Sequence, residues 1–508
     1  MIALTPYLLI LGSFTLIFFK VFRVKQIYSA IYTLFFLALA TIFSAIIYVD
    51  ATSSRLLYYF LGGFPPPIGI TYAVDEFSSF IAFLTTLLAL ALFPLTLIFS
   101  ESVDEYTMAS YLGLLAGFTG ILYTGDLFNM FVMLEVTLIS TYSLMVLTGS
   151  RNNYKAVFNY MIVASVSSLF FFMGVVLIYF ATSTVNIGHL GLILSGLSTS
   201  YRGYTANVAT AMTIFVSMLM WSLVVDEALT PLHFWLPPAY SSINPAVASL
   251  LAGVSEGIAY YALLRIVYTV LNGLGPAIEY MLRILGMATI VVGGLGALYS
   301  NRFSYIASYT VVLDTGYIAL ALSLGPSAIQ IALTYIVAHM IVKPILFLSS
   351  GWIKKMYADD SLENIQGALR SSPIMQMGLL IAALSVIGVP PTIMFLAKLG
   401  VYESLFTLLS KDFTIPIALA VAFMGSALAL AAFAKLIAST VLAPPQNEVK
   451  LSPPFTLRAY IAVFAVLAIV LGLFYSGILE PVTRYTSDAL VHGRDYYLQI
   501  IKGFLYGG

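Results

Sequence analysis

Ten ionisable side chains interrupt otherwise apolar stretches of this 508-residue chain: Glu135, Asp226, Glu227, Glu256, Asp314, His339, Lys343, Lys398, Glu403 and Lys435. A charge at the centre of a bilayer costs roughly 2.5–3.5 kcal/mol on insertion scales, so a chain keeping this many is expected to pair them or use them. Carboxylates, lysines and a histidine strung through apolar segments suit the relay of small cations, protons or sodium ions. Together they suggest a buried polar axis.

The spacing assigns some of these groups and leaves others open. Glu135, in FNMFVMLEVTLIS, lies eight residues into its helix, about 12 Å deep at 1.5 Å per residue; it is either a functional acid or a neutral, hydrogen-bonded one. Asp226 and Glu227 are neighbours and point about 100° apart, so both cannot face one site, and one could be a solvated cap. Glu256 is mid-span, and Arg265, nine residues on, falls on the opposite face; the counter-charge of Glu256 must come from another helix. His339 and Lys343 are four apart and share a face, which favours a neutral histidine beside a charged lysine, or a shared relay. Lys398 follows Pro391 by seven residues, where an unwound turn can supply carbonyl partners. Asp314 is read as bonding to nearby backbone or Tyr side chains, and Glu403 as structural.

The elements that must hold these residues are membrane helices. Composition is 61% hydrophobic and 9% charged, against roughly 25% charged in soluble domains, which excludes a soluble enzyme. Lys+Arg and Asp+Glu balance at 22 each, leaving no net field for nucleic acid. Cysteine is absent, so thiolate-held clusters and cysteine zinc sites are excluded; no cofactor or metal motif occurs, and any redox chemistry belongs to a partner. Apolar runs near 3–20, 27–48, 77–99, 107–124, 127–148, 155–181, 206–228, 243–271, 279–299, 303–323, 327–350, 374–403, 414–440 and 456–480 predict an all-α polytopic protein of about fourteen transmembrane helices. The first run lacks a basic leader and is read as a retained span.

Two spans are broken by proline. The seventh runs into LTPLHFWLPPAY with Pro231, and the twelfth contains IGVPPTIMFLAK with Gly388, Pro390 and Pro391. Each proline removes a donor and strands a carbonyl, tolerable in a membrane only beside protein or water. If spans 4–8 and 9–13 form two five-helix units, both breaks fall in the fourth helix of a unit. Units of odd number must be inverted in the membrane, and matched broken helices point to an ion path at the midplane. The alternative is a kink that only shapes packing. The expected divisions are 1–106 (peripheral helices), 107–271 and 272–440 (inverted repeats), and 441–508 (last span and tail).

Cations are retained on the cytoplasmic side. One face collects Lys20, Arg23, Lys25, Arg151, Lys155, Arg302, Lys354, Lys355, Arg370, Lys450 and Arg458, and the other only Arg55, Arg202, Arg283 and Lys411 before the tail. Both termini are then expected outside the cell membrane.

TGDLFNMFVMLEV (124–136), PLHFWLPPAYSSINPAVASLLAG (231–253), DTGYIALAL, HMIVKPILFLSSG and IGVPPTIMFLAKLG together carry a family pattern. Across essentially the whole chain it resembles the antiporter-like subunits of Mrp antiporters, respiratory complex I and membrane-bound hydrogenases, the MrpD type above all. That resemblance implies two inverted five-helix units, a horizontal polar axis and movement of protons or sodium ions. The family's helix 5 glutamate matches Glu135, the histidine after the helix 7 break His233, the helix 11 pair His339 and Lys343, and the helix 12 lysine Lys398. Asp226 stands where the family has its helix 7 lysine, and Gly257, beside Glu256, where it has a helix 8 lysine. The first half is thus inverted in charge, and either gathers a cation between Glu135, Asp226 and Glu256 or does not conduct.

The expected role is an ion-translocating (H+ and/or Na+) subunit, without a catalytic centre of its own, of an Mrp-type or redox-driven complex such as a hydrogenase or sulfane reductase. Its partners would be small Mrp-like membrane subunits and iron-sulfur or redox subunits. The competing readings are a non-conducting structural subunit and a stand-alone solute transporter.

Overall fold

The computed structural model describes residues 1–100, 103–149, 153–198, 207–445 and 452–506. Arg151, Arg202 and Lys450 of the orientation argument lie outside the described residues. Its long helices are α1 (Leu4–Val21), α2 (Gln26–Ser54), α3 (Glu76–Phe99), α4 (Glu105–Tyr123), α5 (Leu127–Thr148) and α6 (Tyr154–Thr182); a short α7 (Ile187–Leu194) follows, then α8 (Val208–Asp226). Next come a short α9 (Leu236–Ser242), α10 (Pro245–Ile266), α11 (Gly275–Tyr299), α12 (Phe303–Leu322) and α13 (Ile329–Tyr357). The chain continues with α14 (Pro373–Ile387), α15 (Ile393–Thr407), α16 (Thr414–Ile437), α17 (Phe455–Leu473), α18 (Tyr475–His492) and α19 (Arg494–Tyr506). Among the described residues, 12 helices are long and apolar enough to cross a membrane. The two other expected spans coincide with α4 and with the α14–α15 pair.

Burial sorts the helices. In α13, 94% of the best apolar window is buried inside the protein, against 28% in α1 and in α17. Helices α10 and α12 are nearly as enclosed as α13, so Glu256, Asp314, His339 and Lys343 all ride on central helices, whereas α1 and α17 lie at the periphery with most of their residues outside the core. Small residues permit the closest crossings: a Cβ on Gly293 of α11 would sit 2.4 Å from the Leu313 nitrogen of α12, so only glycine allows this approach.

Both expected breaks are real. α8 stops at Asp226, and the chain turns through Glu227–Pro231 and a 3-10 turn, Leu232–Trp235, into α9. α14 stops at Ile387; Gly388 adopts φ +89°, and α15 resumes at Ile393. The loops hold more structure than expected. Leu57–Phe60 and Thr71–Val74 form a two-stranded antiparallel ribbon, β1 and β2, in register Leu57 to Val74. The tail folds as α18 and α19: α18 reaches α3 through Tyr485 and Glu76 and α13 through Tyr475 and Thr334, and α19 packs Phe504 on Tyr58 and Phe60.

Candidate functional site

The centre is an ion pair that the sequence did not announce. Asp314 of α12 meets Lys343 of α13 at 2.5 Å, both with no exposed side-chain surface. Two residues of α13 complete its surroundings: Tyr335 donates to Oδ1 at 2.8 Å, and His339 Nε2 lies 3.2 Å from Oδ2 without hydrogen-bonding alignment. Lys343 also donates to the carbonyl and hydroxyl oxygens of Thr310 at 2.9 and 3.1 Å, so its three protons have partners. Asp314 therefore does more than bond a tyrosine: it is the counter-charge of the α13 pair. Tyr335, His339 and Lys343 share one stripe at spacings of four.

From this pair a polar chain runs to the second break. Tyr335 stacks on Tyr317, with ring centroids 5.8 Å apart, and the Tyr317 hydroxyl lies 3.3 Å from Ser426 Oγ on α16 and donates to the Ala422 carbonyl. Ser426 accepts from Lys398 Nζ at 3.1 Å and lies 2.8 Å from the Tyr402 hydroxyl. Lys398, fully buried, donates to the Val386 carbonyl at 2.6 Å and sits 4.3 Å over the Tyr317 ring. Val386 belongs to the last turn of α14, where orphan carbonyls and the negative end of the helix dipole attract a cation. Gly388 is required beside it: a Cβ there would come 2.9 Å from Lys398 Cδ. Pro390 and Pro391 keep the following backbone non-helical, so the carbonyl stays free for the lysine.

The first half is built of acids. Asp226 ends α8 and accepts from the hydroxyls of Ser167 (2.9 Å) and Ser222 (3.3 Å). A carboxylate at a helix C-terminus opposes the dipole that a lysine would satisfy. The Val225 carbonyl accepts from the Ala228 amide at 3.1 Å and from Trp235 Nε1 at 3.0 Å, a side-chain tie at the break like that of Lys398 on Val386 in the other half. Asp226 borders a cavity of about 70 Å³ together with Thr137, Tyr160, Trp235 and Ser255, room for on the order of two waters at about 30 Å³ each. Glu227 is not a solvated cap: it is fully buried and accepts from the Tyr260 amide of α10 at 3.1 Å. Glu256, 1% exposed, accepts weakly from the Tyr240 hydroxyl at 3.4 Å and lies within the field of Lys343. Gly257 has no room to spare, since a Cβ there would meet Ile336 Cγ2 at 2.9 Å.

Other sequence candidates stand outside this chain. Among the described residues no hydrogen bond or ion pair joins Glu135 to Asp226 or Glu256; it is half-buried on α5, near Tyr142. His233 is half-buried at the first break, Pro231 is exposed, and Glu403 is exposed on α15. Lys435 binds the Leu298 and Ser300 carbonyls and so closes the end of α11. Arg265 pairs with Asp75 of the α3 N-cap at 2.5 Å, not with Glu256. Among the described residues no group of three or more His, Asp or Glu is arranged to hold a metal ion.

Comparison with known proteins places this geometry. Residues 124–439 match the family model described as NADH:quinone oxidoreductase/Mrp antiporter, transmembrane. The chain is 30% identical over 420 residues to the D-type subunit of the Na(+)/H(+) antiporter of Alkalihalophilus pseudofirmus, covering 82% of each chain. It is 29% identical over 453 residues to the N-type subunit of the NADH-quinone oxidoreductase of Desulforudis audaxviator, covering 84% of this chain and 86% of that one. Its fold superposes on a chain of the Mrp complex from a Dietzia species with a TM-score of 0.85 at 24% identity, covering 98% and 99% of the two chains. For a chain of a membrane-bound sulfane sulfur reductase, an archaeal respiratory complex, the TM-score is 0.86 at 23% identity with the same coverage. The chain therefore belongs to the NADH:quinone oxidoreductase/Mrp antiporter transmembrane family.

Proposed function

We propose that this protein moves protons, sodium ions or both as an antiporter-like subunit of a multisubunit membrane complex of the Mrp or respiratory type. The observation that carries the reading is the buried chain Lys398–Ser426–Tyr317–Tyr335–Asp314–Lys343, which runs from a broken helix to the face of α10 that holds Glu256. In it, His339, Lys343 and Lys398 serve the second half, and Asp226 and Glu256 the first, with His233 at its break and Glu135 at its edge. The proposed units are 107–271 and 272–440, flanked by 1–106 and 441–508, and the proposed setting is a cell membrane with both termini outside. Small Mrp-like subunits and, in a redox complex, iron-sulfur subunits are the proposed partners.

The test is ion transport by the reconstituted complex with Lys398→Ala and Lys343→Ala. Each is expected to cut proton-coupled transport at least tenfold while the complex still assembles; wild-type rates in both would overturn the reading. Asp226→Lys tests the first half separately, because unchanged ion coupling there would mark that half as silent.

A further inference from the structure

Glu227 and Glu256 are each no more than 1% exposed, and each keeps one carboxyl oxygen, Oε2, without a partner among the described residues. Their other oxygens are taken by the Tyr260 amide and the Tyr240 hydroxyl. The Tyr260 amide lies one helical turn beyond Glu256, and residues four apart on a helix stand about 5–6 Å from one another. Glu227, reaching across from the end of α8, is thus delivered to the same turn of α10, and Glu256 is the charged group that acts on it most strongly.

The surroundings hold too few cations for these acids. The central helices carry Asp226, Glu227, Glu256 and Asp314 against Lys343 and Lys398, and Arg265 is matched by Asp75. Asp314 is answered by Lys343. Asp226 has two serine hydroxyls and a cavity with room for water, which solvate it in either form. Glu227 and Glu256 have neither. Two buried carboxylates at one site cannot both stay charged without a shared proton or a cation. One free oxygen on each suits a proton between two oxygens, whereas a metal cation wants about six oxygen ligands or more.

We propose that Glu227 and Glu256 form a carboxyl pair holding one shared proton, a proton-loading site between the Asp226 cavity and the Lys343–Asp314 pair. This rests on the transport reading and gives the first half an acid relay in place of lysines. Facing the pair are Tyr160 of α6, Asp226 of α8, Tyr240 of α9, Tyr260 of α10, and Lys343 of α13 with its partner Asp314 and, beside that carboxyl, His339. With one proton the pair carries a single negative charge; a second proton, taken from the side of the Asp226 cavity, neutralises it, and its return there restores the charge.

The test is infrared titration of the carboxylic acid C=O band in the intact chain purified with its membrane partners. The wild type should lose its shared-site band in two steps more than about one pH unit apart. Glu227→Gln and Glu256→Gln should each leave a single step at a new position, and Tyr240→Phe, which keeps both acids, should move the two steps together. A single variant that leaves the other glutamate's step unmoved would overturn the pair. So would a band that shifts when sodium replaces choline, since the occupant would then be a cation. Transport lost in Lys398→Ala with uncoupled glutamates would remove this inference alone. Coupled glutamates in a chain that moves no ions would keep the pair and remove the transport reading.

Discussion

Asp314 and Lys343 are a matched pair only while both are present. With no exposed surface on either side chain, removing one leaves the other charged and dry, a loss of about 3–5 kcal/mol in such sites. Asp314→Asn should therefore lower the thermal unfolding midpoint of the purified chain and abolish transport. Replacing both by apolar residues of similar size, Asp314→Leu with Lys343→Met, should recover most of the stability, because a buried pair contributes little beyond an apolar isostere. It should recover none of the transport. Recovery of transport in the double variant would show that the charges serve packing alone. The sequence could not name this pair: its members lie 29 positions apart on different helices, and only the α12–α13 crossing brings them together. It did mark His339 and Lys343 as sharing a face, because that relation is local to one helix. Glu227 was open for a different reason: its neighbour Asp226 turns to α6 and Glu227 to α10, a choice fixed by the break and not by spacing.

At the scale of elements, the two broken helices were legible because proline and glycine act on the backbone directly. What the breaks hold was not, except that Lys398 follows its prolines closely enough to reach back. Gly388 is where backbone and side chain meet. At φ +89° an alanine is strained by roughly 1–2 kcal/mol, and its Cβ would press on Lys398 Cδ from 2.9 Å. Gly388→Ala should thus lower the unfolding midpoint modestly and transport severely, since the lysine is pushed off the Val386 carbonyl. Gly273→Ala is the control: it also has positive φ, at +135°, but open space around the new Cβ, so it should share the strain and keep the transport. Equal transport losses in both would mean that strain alone is responsible. The first break has its own tie in Trp235, whose indole N–H satisfies the Val225 carbonyl. The same carbonyl also accepts from the Ala228 amide at 3.1 Å, so Trp235→Phe removes one of two donors, at a cost of about 0.5–1.5 kcal/mol. The midpoint should fall slightly, and an unchanged midpoint would show that the Ala228 amide alone satisfies Val225.

Across the whole molecule, several charged side chains outside the axis tie helix ends together, among them Lys20, Arg283, Arg302 and Lys435. The segment between α13 and α14 forms one such clasp. Arg302, at the start of α12, pairs with Asp359 (3.2 Å) and Asp360 (2.8 Å), and Asp360 accepts from the Ser304 amide at 3.0 Å. Gly367 donates to Ser439 at the end of α16, and Arg370 to the Val441 carbonyl. The clasp thus fixes the ends of α12, α13 and α16, the helices that carry Asp314, Lys343 and Ser426. The sequence showed these residues only as loop charges counted for orientation. Hydrogen bonds from the Ser361 hydroxyl and the Asn364 side chain, in that order, hold the Asp359 carboxyl below the usual carboxylate range. A carboxyl depressed in the folded state stabilises it fully above the unfolded value, about 3.9, and loses that contribution as pH falls toward the folded value. The difference in unfolding midpoint between wild type and Asp359→Asn should therefore be constant from neutral pH down to about pH 5 and shrink below about 3.9. A difference that stays constant to pH 3 would show that the charged form of Asp359 does not hold the clasp closed.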